Sequence, residues 1–232
     1  VQPPLMMNRE AYEGVTDLSD FETVMYGIEP DNYYLIATSE HPLTAMRMDE
    51  VIEPNELPVK LVGVSPCFRR EVGAHGLSDR GIWRVHQFTK IEQIVICHPD
   101  DSWGHHEELL QNAVDLWDSL GLHYRVVNIC TGDMGTVAAK KYDLEAWLPG
   151  AGSYKEVVSC SNCTDYQANR LRMRYRTKEG NESVHTLNST AVATSRALVA
   201  IMEQNQLKDG RVRVPEVLRP YMGEKEILES LK

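Results

Sequence analysis

Little in this chain would commit it to an extracellular or membrane setting. It has five cysteines in 232 residues, an odd number with no disulfide-like spacing. A disulfide framework is therefore not expected, and a reducing, cytoplasmic compartment is. No apolar run approaches the ~18 residues of a transmembrane span. The opening Val1-Gln2-Pro3-Pro4 lacks the basic segment and apolar stretch of a signal peptide. It also lacks an initiating methionine, as if the chain were cut from something longer. Positive charge is in deficit: 24 Lys and Arg against 34 Asp and Glu give a net charge of −10. That balance argues against a dedicated DNA binder and leaves any nucleic acid to a local basic patch. Internal repeats, low-complexity tracts and Ser/Gly linkers are absent. With 42% hydrophobic residues, positions 1–232 read as one domain with a substantial core.

Extended segments outnumber helices. Pro42 sits early in a turn of helix at 40–50, where its missing N–H does little harm. Residues 59–69 and 82–97 read as strands joined by a glycine-bearing loop over 72–81 (Gly73, Gly76, Gly81), a hairpin arrangement. Over 102–120 the apolar residues Leu109, Leu110, Ala113, Val114, Leu116, Trp117 and Leu120 recur at helical spacing, and Gly121 ends the run. Strands are expected at 123–130 and 154–163. Thr164-x-x-Gln167 reads as a capping box opening a short helix. A helix over 190–206 carries one stripe of Val192, Ser195, Val199 and Met202 and a smaller one of Ala193, Ala197 and Ala200. Antiparallel strands with helices to one side make an α+β domain. Cys160-x-x-Cys163 lies in a strand-like run with no second ligand pair, so buried thiols are expected and no zinc is.

Strand parity locates the chemistry. Within 82–97 the even residues Arg84, His86, Phe88, Lys90 and Glu92 share a face, while Trp83, Val85, Ile91, Val95 and Cys97 read as core. Phe88 and Glu92 stand roughly 13 Å apart, enough to carry an aromatic ring system at one end and an ammonium at the other. On the partner strand Arg69 and Glu71 share parity with Gly63, Ser65 and Cys67, whose small side chains leave room above the sheet. A plain solvated charged face is the alternative. Arg172, Arg174 and Arg176 make a second charged face, equally consistent with a solvated edge or a phosphate contact.

These residues, with others, resemble the catalytic domain of the seryl-tRNA synthetases, a class II aminoacyl-tRNA synthetase family. The resemblance spans nearly the whole chain. It rests on Thr38-Ser39-Glu40, the Phe68-Arg69-Arg70-Glu71 to Val85-His86-Gln87-Phe88-Thr89-Lys90-Ile91-Glu92-Gln93 hairpin, and Asp143-Leu144-Glu145-Ala146-Trp147-Leu148-Pro149-Gly150. Ser159-Cys160-Ser161-Asn162-Cys163-Thr164-Asp165, the run from His185 to Arg196, and Pro220-Tyr221-Met222 complete it. The resemblance implies an antiparallel sheet flanked by helices and a two-step reaction. Serine's carboxylate attacks the α-phosphorus of ATP, and the seryl group then passes to the terminal adenosine of tRNA(Ser), with tRNA(Sec) a further candidate.

The roles follow in the same terms. Arg69 would bridge the attacking carboxylate and the α-phosphate, which a planar, permanently charged fork can do. Glu71 would accept from the adenine amino group, Phe88 would stack on the ring, and Arg196 would hold the γ-phosphate. The family's ATP contacts fall on Arg69, Arg70, Glu71, Val85, Phe88, Glu156, Val157, Val158, Ser159 and Arg196. Its serine contacts fall on Thr38, Ser39, Glu40, Arg69, Glu92, Asn188 and Thr190. Arg69, Glu156 and Arg196 would be catalytic, and Glu156 with Ser159 would bind Mg2+. Parity objects to that last pair, because residues three apart on a regular strand face opposite ways; a bulge between them is required.

Departures from the family are Thr38-Ser39-Glu40 for its usual Thr-Ala-Glu, and Asn188-Ser189-Thr190 for Asn-Gly-Ser. Its N-terminal tRNA-gripping helical arm and the dimer-forming helix before Pro3-Pro4 are not in these residues, so a homodimer is expected only of a full-length protein. Other readings remain: an amino-acid:carrier-protein ligase, a threonyl or prolyl enzyme, or a non-catalytic domain that binds ATP or serine.

Overall fold

Six strands carry the molecule, in a computed structural model that describes residues 1–71 and 81–230. The glycine-bearing connection expected over 72–81 lies, apart from Gly81, outside the described residues. The strands are β1 (Val59–Phe68), β2 (Gln87–Cys97), β3 (Tyr124–Asn128), β4 (Lys140–Leu148), β5 (Ser153–Asn162) and β6 (His185–Ala193). They lie in the order β1-β2-β6-β5-β4-β3, each antiparallel to its neighbours. The expected α+β class with an antiparallel sheet is the one observed. Smaller sheets flank it, one of which joins Arg174–Arg176 in parallel to Val51–Ile52.

Besides a single turn at Leu18–Phe21, the α-helices are α1 (Arg9–Val15), α2 (Glu40–Ala45), α3 (Ser102–Ser119), α4 (Tyr166–Arg170) and α5 (Thr194–Gln204). Helix α3 forms because its apolar residues repeat every three or four positions, burying His106, Leu109, Ala113 and Trp117 on one side. Gly121, at φ +65°, then takes the left-handed turn that other residues resist. The buried side of α3 covers one face of the sheet, where Leu109 packs with Val95, Cys97, Cys160 and Leu187. Trp117 is fully buried among Leu144, Ala146, Val158 and Ala200. The other face of β2, β5 and β6 is left for the site.

Two irregularities tune that second face. Leu144 pairs with Val158 but Glu145 pairs with Glu156, so Val157 is an extra residue on β5. The strand interruption demanded by parity between Glu156 and Ser159 is therefore present. On β6, Thr190 pairs with Glu92 and Val192 with Ile91, leaving Ala191 as a second extra residue before α5 begins.

Gly63 sets how closely α2 lies on the sheet. A Cβ there would fall 2.6 Å from Leu43 Cδ1, 2.8 Å from Ser39 Oγ and 2.9 Å from Ser39 Cβ. The room left above β1 by small residues is thus occupied by α2, which carries Glu40 inward.

Several boundaries differ from the sequence reading. The strand expected over 82–97 starts at Gln87, because Gly81–Trp83 forms a short 3-10 turn. The helix expected over 190–206 is strand as far as Ala193, since Thr190, Val192 and Ala193 pair with β2. Thr164-x-x-Gln167 is no capping box: Asp165 is the N-cap of α4, no side chain caps it, and the Gln167 amide reaches Val15 and Glu40 instead. The arginine face dissolves into local pairs, Arg172 with Asp49 and Arg176 with Glu53, a solvated edge. Among the described residues no helix is long and apolar enough to cross a membrane.

Candidate active site

The uncovered sheet face, α2 and the start of α5 enclose a cavity of about 260 Å³. Even residues of β2 supply Phe88, Lys90 and Glu92; β6 supplies Asn188 and Thr190; β5 supplies Glu156, Val157, Ser159 and Ser161. Arg69 and Glu71 enter from the end of β1, Thr38 and Glu40 from the start of α2, and Arg196 from α5. The guanidinium groups of Arg69 and Arg196 therefore serve one cavity.

Its inner end is a closed polar network. Thr190 stands directly across from Glu92 in the ladder, and its hydroxyl donates to Glu92 Oε2 at 3.2 Å. Lys90 Nζ lies 2.6 Å from that same oxygen, and both charged side chains are nearly inaccessible. Asn188 Nδ2 and Gln167 Nε2 both donate to Glu40 Oε1, at 3.0 and 3.1 Å. The Thr186 hydroxyl donates to Gln167 Oε1 at 2.6 Å and so fixes which way that amide faces. Burial, then the Glu92 charge, pushes the Glu40 carboxyl up to about 7, against the opposing pull of Lys90, the Gln167 hydrogen bond and Arg69. A group that resists ionisation alone but sits where a cation could join it is suited to receive an ammonium.

The outer end is built of charges that occupy one another. Arg69 Nε donates to the Ala37 carbonyl at 3.3 Å, and its guanidinium lies 5.4 Å from the Phe88 ring centroid. Arg84 Nη1 donates to Glu71 Oε2 at 2.7 Å. Arg196 Nη1 donates to the Glu156 carbonyl at 2.9 Å and lies 3.5 Å from its Oε1, with the guanidinium over Trp83. Burial draws the Arg196 pKa below its ordinary value, partly offset by Glu156. A polyanion entering here would find the guanidinium groups of Arg69 and Arg196, the Arg84–Glu71 pair and two aromatic faces, Phe88 and Trp83.

Glu156 and Ser159 both line the cavity, made neighbours by the extra Val157. Asp143 stands behind them, opposite Ser159 in the ladder, its carboxyl pushed up to about 6 by burial and then by Glu156. Among the described residues no group of three or more His, Cys, Asp or Glu side chains could hold a metal ion. One carboxylate and one hydroxyl suit a hard cation that takes most of its oxygens from water and substrate phosphates.

Most of the residues singled out from the sequence meet in this cavity, but three do not line it. Arg70 is exposed beyond β1, with its N–H on the Val24 carbonyl. Val158 is core, facing away from Ser159 by ordinary strand alternation and packed with Leu144. Ser39 is fully buried between α2 and Gly63. Val85, which parity assigned to the core and the resemblance to the ATP contacts, lines the cavity, as does Trp83, read only as core. Cys160 and Cys163 are buried free thiols, and Cys163 Sγ receives a hydrogen bond from Asn188 at 3.6 Å. Sequence reasoning missed Gln167, Asp143 and the wall of Met134 to Ala138. Lys90 was visible in the parity of β2 but was given no task.

Comparison with known proteins gives these residues a context. Residues 23–205 match the tRNA synthetase class II core domain (G, H, P, S and T). The serine--tRNA ligase of Methanospirillum hungatei is 65% identical over 229 residues, covering 97% of this chain and 54% of that protein. That of Archaeoglobus fulgidus is 60% identical over 225 residues, covering 96% and 50%. The crystal structure of seryl-tRNA synthetase from Pyrococcus horikoshii complexed with ATP superposes with a TM-score of 0.96 at 52% identity, over 100% of this chain and 52% of that one. Prolyl-tRNA synthetase of Giardia lamblia, at 15% identity and TM-score 0.83, shares the fold alone. The chain spans about half the length of the curated relatives it matches. With its antiparallel sheet, its arginine-bearing hairpin and this match over most of its length, the chain belongs to the class II tRNA synthetase core domain family.

Proposed function

We propose that this chain is the catalytic core of a serine–tRNA ligase, forming seryl-adenylate from serine and ATP and passing serine to the acceptor end of tRNA(Ser). The observation that carries this reading is the position of Arg69, between an inner end fitted to an ammonium and a hydroxyl and an outer end fitted to a polyphosphate. The serine--tRNA ligase relatives and the ATP-complexed neighbour support both halves.

Serine's ammonium sits beside Glu40 and Glu92, and its hydroxyl among Glu92, Thr190 and Asn188. Its carboxylate turns outward to Arg69. A carboxylate oxygen attacks the α-phosphorus, and the bond to the leaving pyrophosphate breaks. Arg69 spans the two reacting groups, and Arg196 takes the terminal phosphate. Adenine rests on Phe88 between Val85 and Glu71. Mg2+, held by Glu156 and Ser159, would supply charge neutralisation to the phosphates. A terminal tRNA hydroxyl then attacks the seryl carbonyl and AMP departs. The inner network rejects alanine by roughly 10⁴-fold or more, because the groups that bond the hydroxyl would be left unpaired.

Positions 1–232 would form one catalytic domain, with homodimer contacts and the tRNA arm supplied by a longer protein in the cytoplasm. The test is amino-acid-dependent exchange of pyrophosphate into ATP. Exchange driven by serine is expected; exchange driven by threonine or proline instead would refute the assignment. A carrier-protein ligase would pass the first step and charge a carrier protein in place of tRNA.

A further inference from the structure

Lys90 lines the cavity yet takes no part in the reaction as described. Its ladder partners on the neighbouring strands are Ser65 and Ala193, both with short side chains. The lysine stem therefore has room to lie along β2 toward Glu92, two residues on and on the same face. Its Nζ lies 2.6 Å from Glu92 Oε2, the oxygen that also accepts the Thr190 hydroxyl at 3.2 Å. Among the described residues both partners of the Glu92 carboxylate thus meet one oxygen, and Oε1 is left to a ligand. The Thr190 proton is committed in the same way, so Thr190 offers a ligand only its lone pairs.

The charges at this end of the cavity balance one another. Lys90, Glu92 and Glu40 face it, with Arg69 toward the middle. His41 faces it as well and is neutral, because burial, then Lys90 and Arg69, push its pKa down to about 3. Lys90 offsets Glu92 before any ligand arrives. Glu40, which keeps its proton up to about 7, gains its charge as an ammonium joins it. The inner end is therefore matched to one added cation, the ammonium that every amino acid brings, and holds no unbalanced anion for a second. Without Lys90, Glu92 would be an enclosed carboxylate that draws cations to the side-chain position. We propose that Lys90 is a specificity-determining residue: by neutralising Glu92 and occupying its Oε2, it makes the side-chain position read an uncharged hydroxyl and exclude an ammonium of the same size. The excluded isostere is 2,3-diaminopropionate, which differs from serine only in carrying an amine in place of the hydroxyl. Its β-ammonium meets Lys90 as a like charge, the repulsive half of a discrimination that attractive contacts alone do not supply. This inference rests on the serine–tRNA ligase reading.

Pyrophosphate exchange driven separately by serine and by diaminopropionate tests this role. The two are compared as a ratio of kcat/KM on one preparation, so that any loss of folded enzyme cancels. Where both amines of diaminopropionate are protonated, the parent should favour serine by ~10²-fold or more, since enclosing an unpaired charge is costly. Lys90→Met should lower that ratio about tenfold or more, because it removes the like charge and leaves Glu92 to pair with the β-ammonium. Lys90→Arg, which keeps the charge, should hold the ratio near the parent's even where both amino acids bind less well. The parent also gives a reading that needs no variant. Relative to serine at the same pH, diaminopropionate should improve as its β-ammonium loses its proton, and in Lys90→Met it should not. Equal losses with both amino acids in Lys90→Met would make Lys90 merely structural and overturn the proposal. A ratio in Lys90→Arg as low as in Lys90→Met, or one in the parent that does not move with pH, would overturn it too. Absence of serine-dependent exchange in the parent would instead sink the assignment of the previous section.

Discussion

The two ends of the cavity solve opposite problems with similar residues. At the inner end, Lys90 and Glu92 form an ion pair with side chains 8% and 2% exposed, Glu92 accepts a further hydrogen bond from Thr190, and Glu40 accepts from Asn188 and Gln167. At the outer end, Arg84 and Glu71 form a pair 35% and 15% exposed, and Arg196 rests on Glu156. The inner network is finished before any ligand arrives; only an ammonium and a hydroxyl need be added. The outer charges neutralise one another and must exchange partners when phosphates enter. Selectivity therefore belongs to the inner end, and charge stabilisation during the reaction to the outer.

The sharpest way to break this contrast is to remove one member of the inner pair. Lys90→Met leaves Glu92 charged and enclosed, which should cost ~3–5 kcal/mol of stability. Denaturant unfolding would register it, and a change below about 1 kcal/mol would mean that water reaches the pair. Arg69→Ala should instead leave the fold largely intact and lower serine-dependent exchange by ~10² or more, through loss of a contact that strengthens in the transition state. Near-normal exchange in that variant would deny Arg69 its bridging position.

Protonation gives a third separation. Glu40 in the folded chain holds its proton up to about 7, whereas an ordinary glutamate releases it near 4.5. Between those values the folded state binds more protons than the unfolded one. Stability of the ligand-free protein should therefore fall as pH rises from about 4.5 to about 7. Glu40→Gln should flatten this slope between about pH 6 and 7 and leave the part below about 6 that the raised Asp143 carboxyl contributes. Binding of a serine analogue at pH 6 should release protons from the parent and none from the variant, as measured by calorimetry in buffers of different ionisation heat. A slope between about pH 6 and 7, above the window of Asp143, that survives in Glu40→Gln would move the titration elsewhere.

Legibility in the sequence followed the same division. The period-two pattern of β2 placed Phe88 and Glu92 on one face, and the helical period of α3 identified the side that covers the sheet, because each is a local geometric consequence of residue spacing. Thr190 to Ala193 read as helix because the alanine stripe is continuous into α5. Cross-strand pairing with β2 overrides that pattern, and the extra Ala191 absorbs the change of direction. Gln167 was misread for a related reason: Thr164-x-x-Gln167 fits a local cap, yet a buried Glu40 far away in sequence needed a donor. The Glu156–Ser159 interruption followed from parity set against the pair that the resemblance implies, because residues three apart on a regular strand face opposite ways. Asp143 stood in a run that carries the resemblance but nothing local gave it a role, and nothing marked the Met134 to Ala138 wall; both positions depend on strand order.

The smallest effect sharpens the comparison from the other side. A double-mutant cycle on the outer pair, with Arg84→Met and Glu71→Gln, should return a coupling of ~0.2–1 kcal/mol, because solvent screens one partner and two long side chains lose freedom in pairing. The ligand-free pair is thus easily parted, as an incoming nucleotide requires. Coupling should also weaken in high salt, unlike the effect of Lys90→Met. If the outer pair instead proved as strong as the inner one and insensitive to salt, both ends of the cavity would be equally fixed, and partner exchange would no longer distinguish the nucleotide end.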